Sequence, residues 1–307
     1  MLERKNLIID TDPGVDDATA LLYAAKCGQL NITLLSAAGG NSPMENIVSN
    51  TLHVAEIFDI NAPVVQGATS PLCRPAVYPV GAQGKTGFGG YTYNKKSIKS
   101  KPVQGEACDV IYQKLKENED QTTILSLGPM TNIAKMLQKY PDAKKHIKEI
   151  VFMGGTKEKI IGRPYKEFNI GYDPEAADIV LKSKIPLVMV PMELGHMAYL
   201  SFDEIDIIKK MNKTGKILAK MFSKYNDYHV GKLGAAVHDS CTIFYLTHPE
   251  LVKTEEGHID IKYYDDGKEN FGYIDIDFNK KPNAKICLDM DIDNFKFYLI
   301  DIISNCK

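Results

Sequence analysis

Short, almost continuously apolar runs alternate with longer amphipathic stretches over the first 190 residues of the 307-residue chain. Successive apolar residues predict strands that are covered on both faces, and apolar residues at helical spacing predict helices between them. The alternation predicts an α/β fold with an open, mainly parallel sheet flanked by helices. The predicted strands are residues 7–9, 32–38, 64–66, 123–127, 150–153 and 187–190, and the predicted helices are residues 16–27, 43–58, 104–118, 131–139 and 174–182.

The pattern changes after about residue 200. Helical periodicity predicts one long helix over residues 203–229, a second helix after His238 and a last helix over residues 293–304. Between the last two, alternation in residues 258–264, 272–278 and 284–288 predicts a small antiparallel C-terminal extension. Since no repeat or low-complexity linker interrupts the chain, we expect a single domain over residues 1–307. Residues 71–90 form a long loop rich in Gly and Pro, which we expect to close over a ligand.

The composition excludes several classes of protein. The chain carries 37 Lys and Arg against 39 Asp and Glu, so its charge gives no reason to expect nucleic acid or an anionic membrane as partner. No run approaches the roughly 20 apolar residues of a membrane-spanning helix, and the N-terminal apolar run is too brief for a signal peptide. We therefore expect a soluble, cytoplasmic protein. The six scattered cysteines lack zinc-site spacing, and we expect them to be reduced.

Four carboxylates fall within eight residues directly after the first predicted strand, in the segment Asp10-Thr11-Asp12-Pro13-Gly14-Val15-Asp16-Asp17. In an α/β sheet, ligands bind at the carboxyl ends of the strands. Carboxylates that converge there repel one another unless a cation or shared protons intervene. A hard divalent cation with oxygen ligands, Ca²⁺ or Mg²⁺, accounts for the cluster. The alternative interpretation, helix capping and dipole interaction, accounts for one or two acids rather than four.

The segment from Asp10 to Ala18 resembles the N-terminal signature of the inosine-uridine preferring nucleoside hydrolase family. The resemblance implies the nucleoside hydrolase fold with a Rossmann-like core, and hydrolysis of the N-glycosidic bond of ribonucleosides to free base and ribose. It also implies a small-molecule nucleoside as partner and a homodimer or homotetramer. Further segments match the family in the same order, namely Gly40-Asn41, Gly128-Pro129-Met130-Thr131-Asn132, Met153-Gly154-Gly155, Glu167-Phe168-Asn169-Ile170, Asp173-Pro174-Glu175-Ala176-Ala177 and His238-Asp239.

The resemblance implies a bound Ca²⁺ and gives its ligands. Asp12, Asp17, Asp239 and the main-chain carbonyl of Leu127 match the ligand positions, and Asp10 matches an acid that orients the ligands from behind. Asp12 is also the implied general base, which takes a proton from the attacking water.

Further matches concern the substrate. Asp16 and Asn169, assisted by Asn41, match residues that bind the 2′- and 3′-hydroxyls of the ribose. Glu167 matches a residue that reaches the 3′- and 5′-hydroxyls, and Met153 lines that side. Such a site rejects sugars that lack the hydroxyls, so 2′-deoxynucleosides should be poor substrates.

The base side of the site is matched less completely. His238 is the candidate acid for the leaving base, because imidazole titrates near neutral pH. Phe168 is a candidate for stacking on the base. Three further residues lie on the predicted helix before His238 and are weaker candidates for base contact: Tyr225, Tyr228 and His229.

Three positions depart from the family pattern. Gln83 stands where many members have a His in the loop, and we keep it as a substrate-binding candidate. Ile161 stands where the family has an Asn that contacts the 5′-hydroxyl, and an apolar side chain cannot replace that hydrogen bond. We therefore hypothesise a substrate with a 5′-deoxy, 5′-modified or 5′-phosphorylated ribose. Two basic residues, Arg163 and Lys166, lie close to Ile161 in the sequence. The segment Glu193-Leu194-Gly195-His196 replaces a more usual Asp/Asn-x-Thr-His.

Two other functions are compatible with parts of the sequence. A metal-dependent protein that binds ribose or nucleosides without efficient catalysis would keep the pocket, and Gln83 favours it. A Mg²⁺-dependent phosphatase of the haloacid dehalogenase type also places Asp-x-Asp after its first strand, as in Asp10-Thr11-Asp12. The residues that follow, Pro13 to Asp17, argue against the phosphatase.

Overall fold

A nine-stranded sheet forms the centre of the computed structural model, which describes residues 4–79, 83–84, 86–118, 121–157, 159–160, 163–225, 230–231 and 233–306. The strands of the described part of the chain are β1 (Lys5–Thr11), β2 (Leu30–Ala37), β3 (Val64–Gln66), β4 (Thr122–Ser126), β5 (Ile147–Met153), β6 (Lys159–Ile160), β7 (Arg163–Pro164), β8 (Leu187–Val190), β9 (Leu200–Ser201), β10 (Gly234–Ala235), β11 (Val252–Asp265), β12 (Asn270–Asp277) and β13 (Ala284–Met290). Four of them lie outside the large sheet, because β6 pairs with β7 and β9 pairs with β10 in separate two-stranded sheets.

Helices cover both faces of the sheet. Their bounds are α1 (Val15–Lys26), α2 (Met44–Ile57), α3 (Ala107–Glu117), α4 (Thr131–Lys139), α5 (Phe168–Tyr172), α6 (Pro174–Leu181), α7 (Met192–Met197), α8 (Phe202–Met211), α9 (Lys213–Phe222), α10 (His238–Thr247) and α11 (Ile292–Ser304).

The strand order places a crevice between β1 and β4. The order is β12-β11-β13-β8-β5-β4-β1-β2-β3, and the strands from β13 to β3 are parallel. From β1 the chain moves outward to β2 and β3 and then returns to β4 on the other side of β1. This reversal opens a crevice at the carboxyl ends of β1 and β4, which is where ligands bind in open α/β sheets.

The buried strand β1 contributes to two apolar clusters, one on each face of the sheet. Leu7 and Ile9 belong to the cluster that includes α1, α2 and α10, and Ile8 belongs to the cluster that includes α3, α4 and α6. Because successive side chains of a strand point to opposite faces, this apolar run fixes β1 in the middle of the molecule. Helix α1 packs against α10, which brings two distant parts of the chain together.

The structure confirms the predicted fold class, a mainly parallel sheet flanked by helices with a small antiparallel extension. The extension differs in one respect: β11 and β12 pair antiparallel, but β13 pairs parallel with β8 and so continues the main sheet. The single domain remains a prediction. None of the helices in the described part of the chain is long and apolar enough to cross a membrane.

The prediction of one helix over residues 203–229 is wrong. The backbone of Asn212 is extended, with φ −161° and ψ −171°, so α8 ends before it and α9 begins after it. The Asn212 side chain accepts a hydrogen bond of 2.8 Å from the Gly215 amide and so caps α9. Asn is a favoured capping residue, and here this local preference overrides the continuing periodicity. Residues 226–229 lie outside the described residues.

Candidate active site

A cavity of about 290 Å³ opens at the carboxyl ends of β1 and β4. Most of the predicted site residues line it, although they come from widely separated segments. Asp10 and Asp12 do not line it and are buried. The predicted residues in its wall are Asp16, Asp17, Asn41, Gln83, Leu127, Met153, Glu167, Phe168, Asn169, Tyr225, His238 and Asp239.

We call the acids Asp12, Asp16, Asp17 and Asp239 the carboxylate floor. Asp12 follows β1 directly, and its Oδ2 accepts a 2.7 Å hydrogen bond from the Asn41 amide. Its Oδ1 is buried and has no hydrogen-bond partner among the described residues. A Cβ at Gly40 would lie 2.0 Å from Oδ2, and a Cβ at Gly128 would lie 2.5 Å from Oδ1. Two glycines from matched segments therefore make the space that this carboxylate occupies.

The other floor acids come together where α1 meets α10. One carboxylate oxygen each of Asp16, Asp17 and Asp239 lies within 4.8 Å of the others, an arrangement that can hold a metal ion. Asp17 is oriented by a 2.6 Å bond from Thr11 Oγ1 and a 2.9 Å bond from the Gly14 amide. Asp16 belongs to this close group and Asp12 does not, whereas the sequence predicted Asp12, Asp17 and Asp239.

Burial and mutual repulsion make the ionised floor unfavourable in the protein alone. Burial, then the charges of neighbouring acids, raises the pKa of Asp12 and of Asp239 well above the usual range. The same causes raise the pKa of Asp16 to about 6, and burial raises the pKa of Asp17. One oxygen each of Asp17 and Asp239 lie within 4.8 Å of each other, and their charges repel, so the two carboxyls share either a proton or a cation. A cluster of carboxylate oxygens fits a hard divalent cation.

Leu127, whose carbonyl is the predicted main-chain ligand, lines the cavity just beyond β4. Its carbonyl oxygen accepts a 2.8 Å hydrogen bond from Asn169 Nδ2. A carbonyl oxygen has two lone pairs, so this bond leaves one for a metal ion.

Asp10 lies behind the floor and is held by Asn132. Asn132 Nδ2 donates a 2.9 Å bond to Asp10 Oδ1, and Asn132 Oδ1 accepts a 2.8 Å bond from the Ala68 amide. Burial raises the pKa of Asp10 to about 7, and the bond from Asn132 opposes that rise. Sequence reasoning gave Asn132 no role, although the residue ends one of the matched segments.

Glu167 and Asn169 form a second polar group in the wall of the cavity. Glu167 caps α5, because Oε1 accepts from the Asn169 amide at 2.8 Å and Oε2 accepts from the Ile170 and Gly155 amides at 3.0 Å. Asn169 Nδ2 donates to the carbonyls of Leu127 and Met153. The Asn169 side-chain oxygen is therefore the atom that can accept a bond from a ligand hydroxyl.

We call Gln83, Tyr165, Lys166, Phe168, Tyr225 and His238 the rim of the cavity. Tyr165 and Lys166 were not predicted as lining residues, although they directly precede a matched segment. Phe168 is half-buried, and its ring centroid lies 5.7 Å from that of Tyr172. Three residues named from the sequence lie outside the described residues: Ile161, Tyr228 and His229.

His238 stands at the first position of α10 and is held by α7. Its Nδ1 lies 3.1 Å from the Met192 carbonyl oxygen. Because a carbonyl only accepts, Nδ1 carries a hydrogen in this geometry. A Cβ at Gly195 would lie 2.1 Å from His238 Nδ1, so the ring occupies space that any other residue there would fill. Gly195 is one of the departures from the family pattern.

Comparison with known proteins agrees with this fold. The sequence profile of the family described as inosine-uridine preferring nucleoside hydrolase matches residues 7–297. The chain is 31% identical over 301 residues to the non-specific ribonucleoside hydrolase RihC of Salmonella enteritidis, which covers 97% of both chains. It is also 31% identical over 303 residues to RihC of Escherichia coli, covering 98% of this chain and 99% of the relative.

Solved structures give the same result. A plant nucleoside hydrolase superposes with a TM-score of 0.87 at 26% identity, covering 99% of this chain and 100% of the other. A purine-preferring ribonucleoside hydrolase from Gardnerella vaginalis superposes with a TM-score of 0.87 at 27% identity, covering 98% and 99%. The chain therefore belongs to the inosine-uridine preferring nucleoside hydrolase family. It is a hydrolase that acts on N-glycosyl bonds, which decides against the phosphatase alternative.

Proposed function

We propose that this protein hydrolyses the N-glycosidic bond of ribonucleosides to free base and ribose, with Ca²⁺ as its resident ion. Asp12 is the observation that carries the proposal. A buried carboxylate, fitted between two glycines and with one oxygen that has no partner among the described residues, is costly unless it serves a bound group. The names of the relatives, ribonucleoside hydrolases from several bacteria, support the substrate class.

Asp12, Asp17, Asp239 and the Leu127 carbonyl would hold the ion, with Asp16 beside them. Every one of these donors is an oxygen, and such a set suits Ca²⁺ better than a softer metal. When bound, the ion supplies positive charge that offsets the repulsion among the acids and lowers the pKa of water.

Asp12 is the general base of the proposed reaction. Its Oδ2 is engaged by the Asn41 amide, so Oδ1 is the atom that takes a proton from the attacking water. Departure of the base leaves positive charge on the sugar, as in the oxocarbenium-like transition state of O-glycoside hydrolysis. The carboxylates around it stabilise that charge.

The sugar is oriented through its hydroxyls. Asp16 and Asn169 Oδ1, with Asn41, accept the 2′- and 3′-hydroxyls. Glu167 reaches the 3′- and 5′-side with the lone pairs that its capping bonds leave unused, and Met153 lines that side. These polar groups lose partners when a hydroxyl is missing, so 2′-deoxynucleosides are poor substrates.

His238 protonates the leaving base, and Phe168 lies in the rim where a base can stack on it. The Met192 carbonyl fixes the ring through Nδ1, so Nε2 is the atom that delivers the proton.

The proposal further includes a cytoplasmic location and assembly into a homodimer or homotetramer, and the family resemblance supports both.

Release of reducing sugar from inosine, uridine, cytidine, adenosine and guanosine tests the proposal. We expect release from at least one nucleoside, loss of release with a chelator and recovery on adding Ca²⁺. Activity that is indifferent to the chelator would remove the metal from the mechanism. Tight nucleoside binding without release would instead favour the alternative of a binding protein.

A further inference from the structure

Helix α1 carries two acids of the carboxylate floor, but its own sequence does not cap it fully. The residue before the helix is Gly14, which has no side chain that could accept a bond from the first amides. The first four amides of a helix need partners from outside the helix. The Asp17 carboxylate takes the Gly14 amide, which leaves the Val15 amide to be satisfied by another segment.

Gln83 supplies that partner from 68 residues further along the chain. Its Oε1 accepts a 2.9 Å hydrogen bond from the Val15 amide. Its Nε2 lies 3.4 Å from Asp16 Oδ1 and donates to it. A carboxamide can do both at once, because it has an acceptor and a donor at a fixed separation. Gln83 thus bonds both the first amide of α1, on Val15, and the carboxylate of the following residue, Asp16.

The surrounding packing holds Gln83 in this position. A Cβ at Gly14 would lie 2.7 Å from Gln83 Cδ, so the amide rests directly on the glycine. Asn50 Nδ2 donates to the carbonyls of Pro13 and Thr86 and so bridges the same two segments. Phe88 is fully buried in the core. Residues 83–84 and 86–88 of the long loop therefore lie against the turn before α1 or in the core beside it.

We propose that Gln83 is a positioning residue: its side chain caps α1 and orients Asp16 toward the hydroxyls of the sugar. The inference rests on the proposed function for the role of Asp16, and it changes the expected role of Gln83, which the sequence assigned to substrate contact. Because the oriented acid binds the diol, Gln83 contributes to discrimination between ribose and 2′-deoxyribose without binding the base.

Two variants separate the two hydrogen bonds. Gln83→Met keeps the length of the side chain but removes both bonds. Gln83→Glu keeps an acceptor for the Val15 amide but loses the donor to Asp16. Gln104→Ala, an exposed loop glutamine, is the matched control. The measurements are hydrogen exchange of the Val15 amide and the ratio of kcat/KM for a ribonucleoside to that for its 2′-deoxy analogue.

We expect Gln83→Met to speed exchange of the Val15 amide about fivefold and to lower the ribose-to-deoxyribose ratio about fivefold, the worth of one hydrogen bond. Gln83→Glu should lower the ratio but leave the exchange rate near that of the wild type. Gln104→Ala should change neither. An unchanged ratio in Gln83→Met, whatever its thermal stability, would overturn the positioning role.

Asp16→Asn distinguishes failure of this inference from failure of the proposed function. If Asp16→Asn changes the ratio and Gln83→Met does not, Asp16 binds the sugar but Gln83 does not position it. If neither variant changes the ratio, the assignment of Asp16 to the sugar is wrong. If the wild type shows no hydrolysis, the same ratio is taken from dissociation constants, and hydrogen exchange still tests the cap.

Discussion

The carboxylate floor and the rim of the same cavity are built in different ways. Floor acids are buried, and two of them accept short bonds from backbone: 2.7 Å from the Asn41 amide to Asp12 and 2.9 Å from the Gly14 amide to Asp17. Rim side chains come from loops and helix ends, and some of them, such as Phe168 and Tyr225, are half-buried. We therefore expect a rigid floor, as the proposed general base catalysis and metal binding require, and a rim whose half-buried side chains vary more easily.

The same contrast appears in the departures from the family pattern. Gln83 is a member of the rim, and Gly195 affects the rim through its contact with His238. None of the departures replaces a floor acid or the Leu127 carbonyl. The difference leads us to expect that the reaction class depends on the floor, and that preference for the base and for the 5′ side of the sugar depends on the rim. Substitutions in the two regions should accordingly have effects of different size and kind.

Asp12→Asn should have the largest effect. The substitution keeps the shape of the side chain but removes the base, so we expect kcat to fall about a thousandfold. Nucleoside should still raise the melting temperature of the variant, because the sugar contacts remain. Steady-state release of reducing sugar and thermal melting measure the two quantities. Asp206→Asn, on the exposed face of α8, is the control. Near-native turnover in Asp12→Asn would show that Asp12 is not the base.

Asn132→Ala tests the support behind the floor. The variant leaves Asp10 Oδ1, which is fully buried, and the half-buried Ala68 amide without the partners that Asn132 gives them. We expect the free energy of unfolding to fall by about 2–3 kcal/mol, measured by urea denaturation. Asn305→Ala, which loses one exposed bond to the Asp301 carbonyl, should stay within about 0.5 kcal/mol of the wild type. A similar value for Asn132→Ala would mean that Asp10 needs no such support.

The floor was more predictable from the sequence than the rim, for a physical reason. Asp12, Asp16 and Asp17 are neighbours in sequence and follow one apolar strand, so placing that strand also places the acids at its carboxyl end. Asp239 was found only through the family resemblance, because its place depends on the packing of α10 on α1. The roles of the individual acids stay predictions.

Contacts between distant segments could not be predicted. Asn132 reaches Asp10 because β4 lies beside β1, and Gly195 touches His238 because α7 packs against α10. Such contacts depend on tertiary packing rather than on a local pattern. The break at Asn212 is different, because an Asn three residues before Gly215 was a local capping signal that the helical periodicity concealed.

Gly195→Ala tests whether the rim fixes the leaving-group acid. The new Cβ would fall 2.1 Å from His238 Nδ1 and 2.6 Å from His238 Cα, so the ring and the start of α10 must shift, and the ring's contact with the Met192 carbonyl is disturbed. We expect kcat/KM for inosine to fall about tenfold, at the lower end of the range for loss of a general acid. A riboside of an activated phenol needs no protonation and should lose less than about twofold.

His238→Ala is the reference for this experiment, and it should show the same dependence on the leaving group with a larger loss for inosine. Equal losses on both substrates in Gly195→Ala would mean that the substitution disturbs the floor instead of the acid.

Lys166→Met should have the smallest effect and concerns the 5′ side of the sugar. Lys166 lines the cavity, whereas Arg163 forms a 2.7 Å ion pair with Glu269. Our hypothesis predicts that the wild type prefers a 5′-modified ribose. If the 5′ group is a phosphate, Lys166→Met should lower kcat/KM for the 5′-phosphorylated nucleoside about threefold, as for an exposed ion pair, and leave the 5′-deoxy analogue unchanged. Arg163→Met is the matched control and should change neither. A plain preference of the wild type for the unmodified 5′-hydroxyl would contradict the hypothesis and would show that the rim compensates for the loss of the family Asn at Ile161.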